Sequence, residues 1–351
     1  MSSIAYNVAI VGATGLVGET LLQILSERHF PVGELRLFAT ARSAGAEISA
    51  FGKRIAVNAI QTDRVDSDPA VLEMFSGIDV AFFAAGEAVS RQFARPLAAR
   101  GTLVIDKSPA FRLASEVPLI VSEVNAGAAE GKKLIANPNC STIPLAVALN
   151  VVHRTFGLRW LSVSTYQSVS GAGKDALSEF EQQLGGSQEQ HALPRRIAGN
   201  LFPDIGPFDA SGYSEEERKI ALELTKILDL DEVPISATTV RVPVAIGHAE
   251  AIAFQTKLPA SRADIAASIA ASPGVNFMDG PGYATPLEAA GRDEVFVGRL
   301  RRDHAHEGAF LAWIVCDNLR KGAATNAVQI AEQLLPQIAE HLLPQNVKLP
   351  A

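Results

Sequence analysis

Asn7-Val-Ala-Ile-Val11 leads directly into Gly12-Ala-Thr-Gly15-Leu-Val-Gly18, which leads into Glu19-Thr-Leu-Leu-Gln-Ile-Leu25. An apolar strand, a glycine-rich turn and an apolar helix in this order predict the opening of a dinucleotide-binding βαβ unit. The glycines allow a tight turn, close approach of a pyrophosphate and close helix packing, although their spacing is GxxGxxG rather than GxGxxG. We therefore favour a cofactor-binding turn in this stretch over the alternative, a purely structural turn. The cofactor-binding residues expected in this stretch are Gly12, Thr14, Gly15, Leu16 and Val17.

The end of the second predicted strand, residues 34–39, bears on the choice of cofactor. In NAD-binding units an acidic residue about 20 residues past the glycines binds the ribose 2′-hydroxyl. Here no Asp or Glu occurs between Glu34 and Glu47, and Arg42 and Ser43 follow the strand instead. An arginine at this place suits a 2′-phosphate, so the sequence predicts NADP rather than NAD. The alternative is an ordinary solvated arginine in a loop.

The next segments continue the alternation of strands and helices that is typical of a parallel sheet. Residues 79–84 and 102–106 are predicted strands, and residues 88–100 between them have helical spacing. The loop Asp106-Lys-Ser-Pro-Ala-Phe-Arg112 follows the later strand. Open α/β sheets bind their ligands beyond the carboxyl ends of the strands, so Arg112 is a candidate anion-binding residue. A solvent-facing side chain is the alternative.

One of the two cysteines has an unusual setting, in Ile135-Ala-Asn-Pro-Asn-Cys140-Ser-Thr-Ile-Pro144. Pro138 disfavours helix before the cysteine, whereas the residues after it suit the first turn of a helix. Cys140 is therefore expected at or just before a helix N-terminus, where unpaired N–H groups and the macrodipole favour a thiolate. Cys316 ends an apolar segment and is expected to be a buried structural cysteine.

After Cys140 the pattern changes to one typical of an antiparallel or mixed sheet, because residues 160–169 alternate apolar with small polar side chains. A helix is predicted through residue 228, with Glu216 and Lys219 three positions apart on one face. Such a pair is by default a solvated ion pair. The other predicted elements of this half are strands at 235–242, 250–257, 294–300 and 309–316, a long irregular loop at 184–208, and a helix at 323–343.

Several candidate site residues lie at strand ends in this half. Gln167 is in the first strand, and the turn Ser170-Gly171 after it allows backbone to approach a ligand. Arg241 and His248 come from another strand and the turn that follows it, a placement expected of site residues on a rigid scaffold. The alternatives are a half-buried polar glutamine and a surface histidine.

Length and composition limit the classes of protein. A chain of 351 residues with 48% hydrophobic residues is expected to form two globular domains. Two cysteines provide no disulfide framework, and the sequence shows no zinc-like spacing, no basic signal-peptide start and no apolar run of membrane-spanning length. We therefore expect a cytoplasmic protein without a metal or a membrane partner. A net charge of −7 argues against a nucleic-acid partner.

A dinucleotide site combined with a reactive cysteine predicts aldehyde chemistry. A thiolate adds to an aldehyde carbonyl to form a thiohemiacetal, which is a good hydride donor, and hydride transfer leaves a thioester. Backbone N–H groups near Cys140 are expected to stabilise the oxyanion, and His248 to move its proton. If phosphate resolves the thioester, the site needs several cations, and Arg112, Lys219 and Arg241 can supply them.

The sequence resembles the bacterial-type aspartate-β-semialdehyde dehydrogenase family in five blocks that span nearly the whole chain. The blocks are Val11-Gly-Ala-Thr-Gly-Leu-Val-Gly18, Asn137-Pro-Asn-Cys-Ser-Thr142, Tyr166-Gln-Ser-Val-Ser-Gly-Ala-Gly173, Arg241-Val-Pro-Val-Ala-Ile-Gly-His248 and Asp317-Asn-Leu-Arg-Lys-Gly-Ala323. Five blocks in the right order are far more specific than any one of them.

The resemblance assigns a role to each matching position. It implies that Cys140 is the nucleophile, His248 the acid/base and Gln167 the residue that orients the substrate. It implies that Arg112 and Arg241 bind anions, Lys219 binds phosphate and Glu216 contacts the substrate amino group. It implies further NADP contacts from Ser170, Gly171 and Asn318.

The resemblance also implies the fold and the reaction. We expect an α/β fold with a Rossmann-like NADP-binding domain, residues 1–139 and 318–351, and an α+β catalytic and dimerisation domain with a mixed sheet, residues 140–317. The expected reaction is reversible reduction of L-aspartyl 4-phosphate by NADPH to L-aspartate 4-semialdehyde and phosphate. This step serves the biosynthesis of lysine, threonine, methionine and isoleucine. The expected assembly is a homodimer or a tetramer.

Two alternatives remain open at the level of sequence. An N-acetylglutamyl-phosphate reductase shares the cofactor and the thioester, but its acetylated substrate amine carries no charge for Glu216 to bind. A non-catalytic dinucleotide-binding paralogue is the other alternative, because the chain departs from the family pattern. It has Lys107 and Pro109 where the family commonly has Asn and Ser, and Ala249 where the family usually has Ser after the histidine.

Overall fold

The computed structural model of the chain describes residues 5–60, 69–230 and 232–342. The strands in these ranges are β1 (Tyr6–Val11), β2 (Val32–Thr40), β3 (Glu47–Ala50), β4 (Lys53–Ile60), β5 (Val80–Phe83), β6 (Leu103–Asp106), β7 (Leu134–Ala136), β8 (Leu158–Gln167), β9 (Ile235–Arg241), β10 (His248–Thr256), β11 (Val275–Met278), β12 (Val295–Arg302) and β13 (Ala309–Cys316). The α-helices in the same ranges are α1 (Leu16–Glu27), α2 (Pro69–Glu73), α3 (Glu87–Ala99), α4 (Ser122–Asn125), α5 (Thr142–Phe156), α6 (Lys174–Leu184), α7 (Glu215–Leu228), α8 (Arg262–Ala270), α9 (Pro286–Ala289) and α10 (Thr325–Leu342).

The chain divides into two units. The first consists of the described residues within Met1–Ala13, Leu21–Asn137 and Asn326–Ala351, and the second of those within Thr14–Thr20 and Pro138–Thr325. Residue 343, the last residue of the helix predicted at 323–343, lies outside the described residues, as does part of the predicted domain segment 318–351.

The sheet of the first unit has, in its described part, the order β3-β4-β2-β1-β5-β6-β7. Its strands pair in parallel except for the antiparallel pair β3 and β4. β1 lies between β2 and β5, at the point where the strand order reverses, which is where open α/β sheets bind nucleotides. β5 is Val-Ala-Phe-Phe and buried throughout, as expected for a parallel strand inside a sheet. The predicted α/β dinucleotide-binding architecture is confirmed.

The turn after β1 shows why glycine is needed at position 12. Gly12 has φ of +93°, and a Cβ there would lie 2.6 Å from the carbonyl carbon and oxygen of Ala84, just after β5. The backbone N–H groups of Gly12 and Ala13 both donate to the carbonyl oxygen of Phe38 in β2, at 2.8 and 3.0 Å. The chain therefore makes its tight turn at the carboxyl ends of three neighbouring strands, as the sequence predicted.

The sheet of the second unit has, in its described part, the order β11-β12-β13-β10-β8-β9. It is mixed, because β11–β12 and β8–β9 are parallel and the other pairs are antiparallel. α5, α7 and α8 pack on one face of this sheet. His248, Gln167, Arg241 and Cys316 belong to that helix-covered face, since they alternate with residues that point the other way.

The opposite face of this sheet keeps a group of side chains half-buried or exposed in the single chain, and we call this group the open face. It is formed by Ser164, Tyr166, Ala251, Ala253, Leu311 and Trp313. Tyr166 is 37% exposed, and its ring lies 5.6 Å from that of Trp313. A mostly apolar, uncovered sheet face of this kind suits contact with another protein surface.

Some strands were not predicted. β3 and β4 form a hairpin whose two-residue loop, Phe51 and Gly52, has φ of 51° and 71°. Phenylalanine is an unusual residue for a left-handed turn position, so the sequence carried no hairpin signal here. β11 was also missed, and its four residues are too few to show a period. No helix in ranges 5–60, 69–230 and 232–342 is both long and apolar enough to cross a membrane.

Candidate active site

Cys140 lies immediately before α5, whose N-cap residue is Ser141. The cysteine is 8% exposed, so its sulfur is largely removed from water. The turn Arg320–Ala324 packs against its backbone, because a Cβ on Gly322 would lie 3.2 Å from both the Cβ and the carbonyl oxygen of Cys140. The predicted placement of the cysteine at a helix N-terminus is thus observed, and the macrodipole of α5 favours a negative charge there.

The imidazole of His248 contacts this sulfur. The Nε2 atom lies 3.3 Å from Sγ of Cys140. The other ring nitrogen, Nδ1, accepts a hydrogen bond of 3.1 Å from the backbone N–H of Ser168. Because Nδ1 uses its lone pair as an acceptor, the neutral ring carries its proton on Nε2. His248 therefore directs an N–H donor at the sulfur.

A buried carboxylate stands beside the nucleophile. Oε1 of Glu216, in the first turn of α7, accepts from Nδ2 of Asn139 at 2.9 Å and from Nε2 of Gln167 at 3.0 Å. Oε1 of Gln167 in turn accepts from the hydroxyl of Thr165 at 3.0 Å. The carboxylate is 8% exposed. Its position is thus fixed by two amides, one of them on the residue before Cys140.

Arg241 brings a positive charge to the same place. Its Nη1 donates to the carbonyl oxygen of Ser168 at 2.6 Å, and the residue is 5% exposed. Burial lowers the pKa of Arg241 from its ordinary value, while the nearby charges of Glu216 and Cys140 act in the opposite direction. A Cβ on Gly171 would lie 3.0 Å from Nη1 of Arg241 and 3.2 Å from Nε2 of His248. The missing side chain keeps space open between the two cationic or proton-donating groups.

The N–H groups of the first turn of α5 are already paired. The N–H of Ser141 donates to Oδ1 of Asn139 at 2.8 Å, and those of Thr142 and Ile143 donate to the carbonyl oxygen of Asn139. The expectation that backbone N–H groups around Cys140 hold an oxyanion is therefore not met by these three. The donors that point into the site are instead the side chains of His248 and Arg241.

Two of the residues expected to contact the cofactor in this unit, Ser170 and Asn318, belong to one hydrogen-bond network. Oδ1 of Asn318 accepts from the hydroxyls of Ser168 and Ser170 at 3.0 and 3.2 Å and from the N–H of Gly247 at 2.8 Å. Nδ2 of Asn318 donates to the hydroxyl of Ser170 at 3.0 Å. Asn318 thus joins the turn after β8 to the residue before β10, and both turns carry site residues.

Lys219 lies at the edge of this group. Its Nζ is 2.7 Å from a carboxylate oxygen of Glu215 and 3.9 Å from Oε2 of Glu216. The side chain is 23% exposed, so an anion can reach it from solvent. The predicted ion pair between Glu216 and Lys219 is present, but the closer partner of the lysine is Glu215.

The second cysteine has the opposite environment. Cys316 is fully buried at the end of β13. Burial raises the pKa of its thiol well above the ordinary value, and the negative charges of Glu250 and Asp317 raise it further. A thiol that is held protonated is a poor nucleophile. The geometry therefore supports Cys140, and not Cys316, as the reactive cysteine.

In the first unit, the predicted binding residues follow strand ends. Arg42 is exposed and Ser43 half-buried in a 3₁₀ turn, Ala41–Ser43, directly after β2. Arg112 follows β6, is 5% exposed, and donates from Nη2 to the carbonyl oxygen of Lys107 at 2.5 Å. Thr14, Gly15, Leu16 and Val17, which fall in the second unit, are half-buried where the turn enters α1. The glycine turn with its excluded Cβ and an exposed arginine beyond the neighbouring strand fit a phosphorylated dinucleotide.

Two of the three departures from the family pattern, Ala249 and Pro109, are accommodated locally. Ala249 alternates with His248 along β10, so its side chain lies on the opposite face of the sheet, where it packs with Phe296 and Val315. A hydroxyl at position 249 would not reach the imidazole. Pro109 is the first residue of a 3₁₀ helix capped by Ser108, a position where no N–H is needed. These positions give no support to the non-catalytic alternative.

Other functional residues of the site were not predicted individually. The sequence patterns indicate no individual role for Asn139, Ser168, Thr165 or Glu223. Oε2 of Glu223 accepts from the N–H of Asn139 at 2.7 Å, across 84 positions of sequence. Within the described ranges, no group of three or more His, Cys, Asp or Glu side chains is placed to hold a metal ion.

Comparison with known proteins agrees with this geometry. Residues 7–132 match the family described as "Semialdehyde dehydrogenase, NAD binding domain", and residues 149–321 match "Semialdehyde dehydrogenase, dimerisation domain". An aspartate-semialdehyde dehydrogenase of Aquifex aeolicus is 43% identical over 344 residues, which cover 95% of this chain and 98% of that protein.

Solved structures give the same result. The crystal structure of aspartate semialdehyde dehydrogenase II from Vibrio cholerae complexed with ASA has a TM-score of 0.88 and 40% identity, and the match covers 95% of this chain and 99% of that one. The aspartate semialdehyde dehydrogenase of Candida albicans with NADP has a TM-score of 0.72 and covers 94% of this chain and 98% of that one. At 24% identity, it supports the fold alone.

The family matches lie on both sides of Cys140, and identity above 40% extends over nearly the whole chain. The resemblance noted in the sequence is therefore confirmed, including the NAD(P)-binding and dimerisation domains. The chain belongs to the aspartate-semialdehyde dehydrogenases, oxidoreductases of aspartate-family amino-acid biosynthesis.

Proposed function

We propose that the enzyme reversibly reduces L-aspartyl 4-phosphate with NADPH to L-aspartate 4-semialdehyde and phosphate, through a thioester on Cys140. The observation that carries this proposal is the 3.3 Å contact between Sγ of Cys140 and Nε2 of His248 at the N-terminus of α5. A nucleophile within reach of an acid and a buried cation is the arrangement needed for acyl transfer.

The thiolate attacks the acyl carbon of the aspartyl phosphate, and phosphate leaves. Three features stabilise the negative sulfur: the macrodipole of α5, the Nε2–H of His248 and the charge of Arg241. A bound NADPH would supply the hydride that reduces the thioester carbon. The tetrahedral oxyanion then takes a proton from Nε2 of His248 to give a thiohemiacetal. When the thiohemiacetal collapses, its O–H proton returns to Nε2, the C–S bond breaks, and the aldehyde and the Cys140 thiolate are released. Arg241 stabilises the oxyanion in a largely water-excluded site.

The substrate's ammonium group is assigned to Glu216. Asn139 and Gln167 both donate to Oε1 of this carboxylate, so its second oxygen is left toward Lys219 and the substrate. Because Asn139 precedes the nucleophile, the ammonium site and Cys140 are held at a fixed separation. This supports an amino acid with a free α-amine as substrate, and it distinguishes the enzyme from an N-acetylglutamyl-phosphate reductase.

The phosphate is assigned to Lys219, and Arg112 and Arg241 are assigned as anion-binding residues. Lys219 is partly exposed on α7, and Arg112 follows the carboxyl end of β6. These roles come from the family resemblance and from the sign of the charges. A substrate that carries a phosphate and a carboxylate calls for cationic side chains of this kind.

The cofactor is assigned as NADP rather than NAD. Arg42 is exposed just beyond β2, the strand next to the glycine turn, and no acidic residue lies between Glu34 and Glu47. A guanidinium at this place binds a 2′-phosphate, whereas the 2′-hydroxyl of NAD calls for a carboxylate. The Candida albicans relative was solved with NADP.

The assembly is assigned as a homodimer that pairs through the open face. This face belongs to the region that matches a dimerisation domain, and it places tyrosine, tryptophan and small side chains at the surface. Aromatic residues are enriched in protein interfaces, and charged residues are depleted. The compartment is assigned as the cytoplasm, because catalysis requires Cys140 to remain reduced.

The test is a kinetic matrix in which semialdehyde and phosphate are varied independently. Glu216→Gln removes one side of a desolvated charge contact worth about 2–5 kcal/mol, so kcat/KM for the semialdehyde should fall by tens- to thousands-fold. The control is Glu181→Gln, which changes an exposed carboxylate on α6. If Glu216→Gln behaves like the parent enzyme, or if N-acetylglutamate semialdehyde is the better substrate, the assignment is wrong.

A further inference from the structure

Ser168 contacts the side of His248 that faces away from the nucleophile. Its backbone N–H donates to Nδ1 at 3.1 Å, and its hydroxyl oxygen is also 3.1 Å from Nδ1. The residue is 0% exposed and stands between Gln167 and the turn that contains Ser170. Both polar groups of one serine therefore meet the same ring nitrogen.

The hydroxyl of Ser168 continues into a chain of hydroxyl groups. It lies 3.1 Å from the hydroxyl of Ser170 and 3.0 Å from Oδ1 of Asn318. Both residues are buried, Ser168 at 0% and Ser170 at 3% exposure, so the chain ends at the slightly more accessible of the two hydroxyls. A hydroxyl both donates and accepts, which is the property that a proton relay needs.

The tautomer of His248 makes such a relay necessary. With its proton on Nε2, the ring can act as an acid toward an oxyanion but cannot accept a proton at the same atom. To act as a base in the next step, Nε2 must be free, and the ring must then carry its proton on Nδ1. A second proton donor therefore has to stand beside Nδ1.

We propose that Ser168 is a positioning residue for His248: its N–H holds the ring as the Nε2–H tautomer, and its hydroxyl passes a proton between Nδ1 and Ser170. The proposal rests on the function proposed above, in which Nε2 gives its proton to the oxyanion. No role for Ser168 follows from the sequence motifs.

The protons balance in both directions. When the Nε2–H bond breaks and the O–H bond of the thiohemiacetal forms, Nδ1 takes the hydroxyl proton of Ser168. Ser168 takes one from Ser170, and Ser170 takes one from water. When the thiohemiacetal collapses, its O–H proton returns to Nε2, the C–S bond breaks, and each transfer runs back. The state with Nδ1–H is transient, because the N–H of Ser168 then loses its acceptor.

The experiment compares Ser168→Ala, Ser168→Thr and the parent enzyme in the semialdehyde assay. Alanine keeps the N–H and removes the relay, so kcat should fall by about 10²-fold, the lower end of a general acid–base contribution. KM for the semialdehyde and the rate at which iodoacetamide alkylates Cys140 should stay within about twofold of the parent. Threonine restores a hydroxyl and should recover most of kcat.

The matched control is Ser162→Ala, which removes an exposed hydroxyl from β8, the strand that ends just before Ser168. The proposal is overturned if Ser168→Ala keeps the parent kcat, if threonine fails to restore it, or if alkylation of Cys140 slows in parallel. An inactive parent would instead contradict the proposed function.

A measurement on the parent alone adds a further test, because ¹⁵N NMR of labelled histidine should show His248 with its proton on Nε2. Finding it on Nδ1, or on both nitrogens, at the pH of the assay would also overturn the proposal.

Discussion

Gly171 has no side chain at the point where Arg241 and His248 approach each other. A Cβ there would lie 3.0 Å from Nη1 and 3.2 Å from Nε2, closer than ordinary contacts. In the proposed reaction, this space holds the acyl oxygen of the substrate. Gly171→Ala should therefore reduce kcat/KM by at least about tenfold, because a misplacement of about 1 Å can cost 10²-fold. Steady-state kinetics with the semialdehyde measures the effect.

The control for this variant is Gly127→Ala. Gly127 lies in the 3₁₀ helix Ala126–Ala129, with no atom within 4 Å of its ideal Cβ and no positive φ. It should keep parent kinetics. If Gly171→Ala and Gly127→Ala gave equal kcat/KM values, the space beside Gly171 would have no part in substrate binding.

Individual residues were predictable where the chemistry is local. Cys140 stands out in the sequence because the residues that predict a helix start are adjacent to it in the chain. Asn139 and Glu223 did not stand out, because their hydrogen bonds span 77 and 84 positions and depend on α7 packing beside α5. The role of Ser168 depends likewise on β8 pairing with β10. Contacts of this range follow from tertiary structure, which a local pattern does not contain.

At the level of elements, α7 connects helix stability to substrate binding. It carries Glu216, Lys219 and Glu223. Its first turn is held by a capping box. In this box the hydroxyl of Ser214 accepts from the N–H of Glu217, and the carboxylate of Glu217 accepts from the N–H of Ser214. A capping serine contributes typically about 1 kcal/mol. Loss of this cap therefore loosens the turn that positions Glu216.

We expect Ser214→Ala to lower the free energy of unfolding by about 1 kcal/mol and to raise KM for the semialdehyde. Ser261→Ala is the matched variant, since Ser261 and Asp264 form the same capping box on α8. It should lose a similar amount of stability with unchanged KM. Urea unfolding and steady-state kinetics on both variants make the comparison. Equal KM values in the two variants would show that the α7 cap does not contribute to substrate binding at the ammonium site.

Strands with a clear apolar pattern were predicted, and those without one were missed. β1, β5, β6, β8, β10 and β13 are apolar or alternate regularly, so burial determines both their conformation and their sequence. β3 alternates between exposed and half-buried residues at the edge of the sheet, its neighbour β4 shows no regular alternation, and their loop carries phenylalanine at a left-handed position. The hairpin follows from pairing at the sheet edge, for which the sequence has no strong local signal.

For the whole molecule, the open face decides whether the enzyme works as a dimer. Ala251 lies in β10, a central strand, and its side chain is half-buried on this face. Ala251→Arg adds a long charged side chain without removing a contact within the chain. Because like charges would meet or be desolvated across a symmetric interface, the variant should dissociate into monomers. Sedimentation velocity at a fixed protein concentration measures the shift.

Leu113→Arg is the control for this prediction. Leu113 is 54% exposed in the first unit, outside the region that matches a dimerisation domain. It should sediment like the parent enzyme. If Ala251→Arg remained dimeric and Leu113→Arg became monomeric, the dimer interface would not lie on the open face.

Stability of the whole fold should depend on pH through Glu250. Both of its carboxyl oxygens are buried and lack a hydrogen-bond partner within the described part of the chain. Burial raises the pKa of this carboxyl well above its ordinary value of 4.5. The unfolded chain releases the proton above pH 4.5, while the folded chain keeps it until the raised pKa. The folded state then binds more protons than the unfolded state, so the contribution of Glu250 to stability falls as pH rises through this interval.

Glu250→Gln replaces the carboxyl with a neutral group of nearly the same shape that does not titrate. The variant should therefore gain stability relative to the parent as pH increases, with little pH dependence of the difference below about pH 4.5. Urea unfolding at several pH values between 4 and 8 measures the difference in free energy. In Glu181→Gln, where the carboxylate is exposed, the difference should stay nearly constant. If the free-energy difference between Glu250→Gln and the parent were also constant with pH, the carboxyl would ionise in the folded chain as easily as in the unfolded chain. Water or a rearranged side chain would then have to reach it.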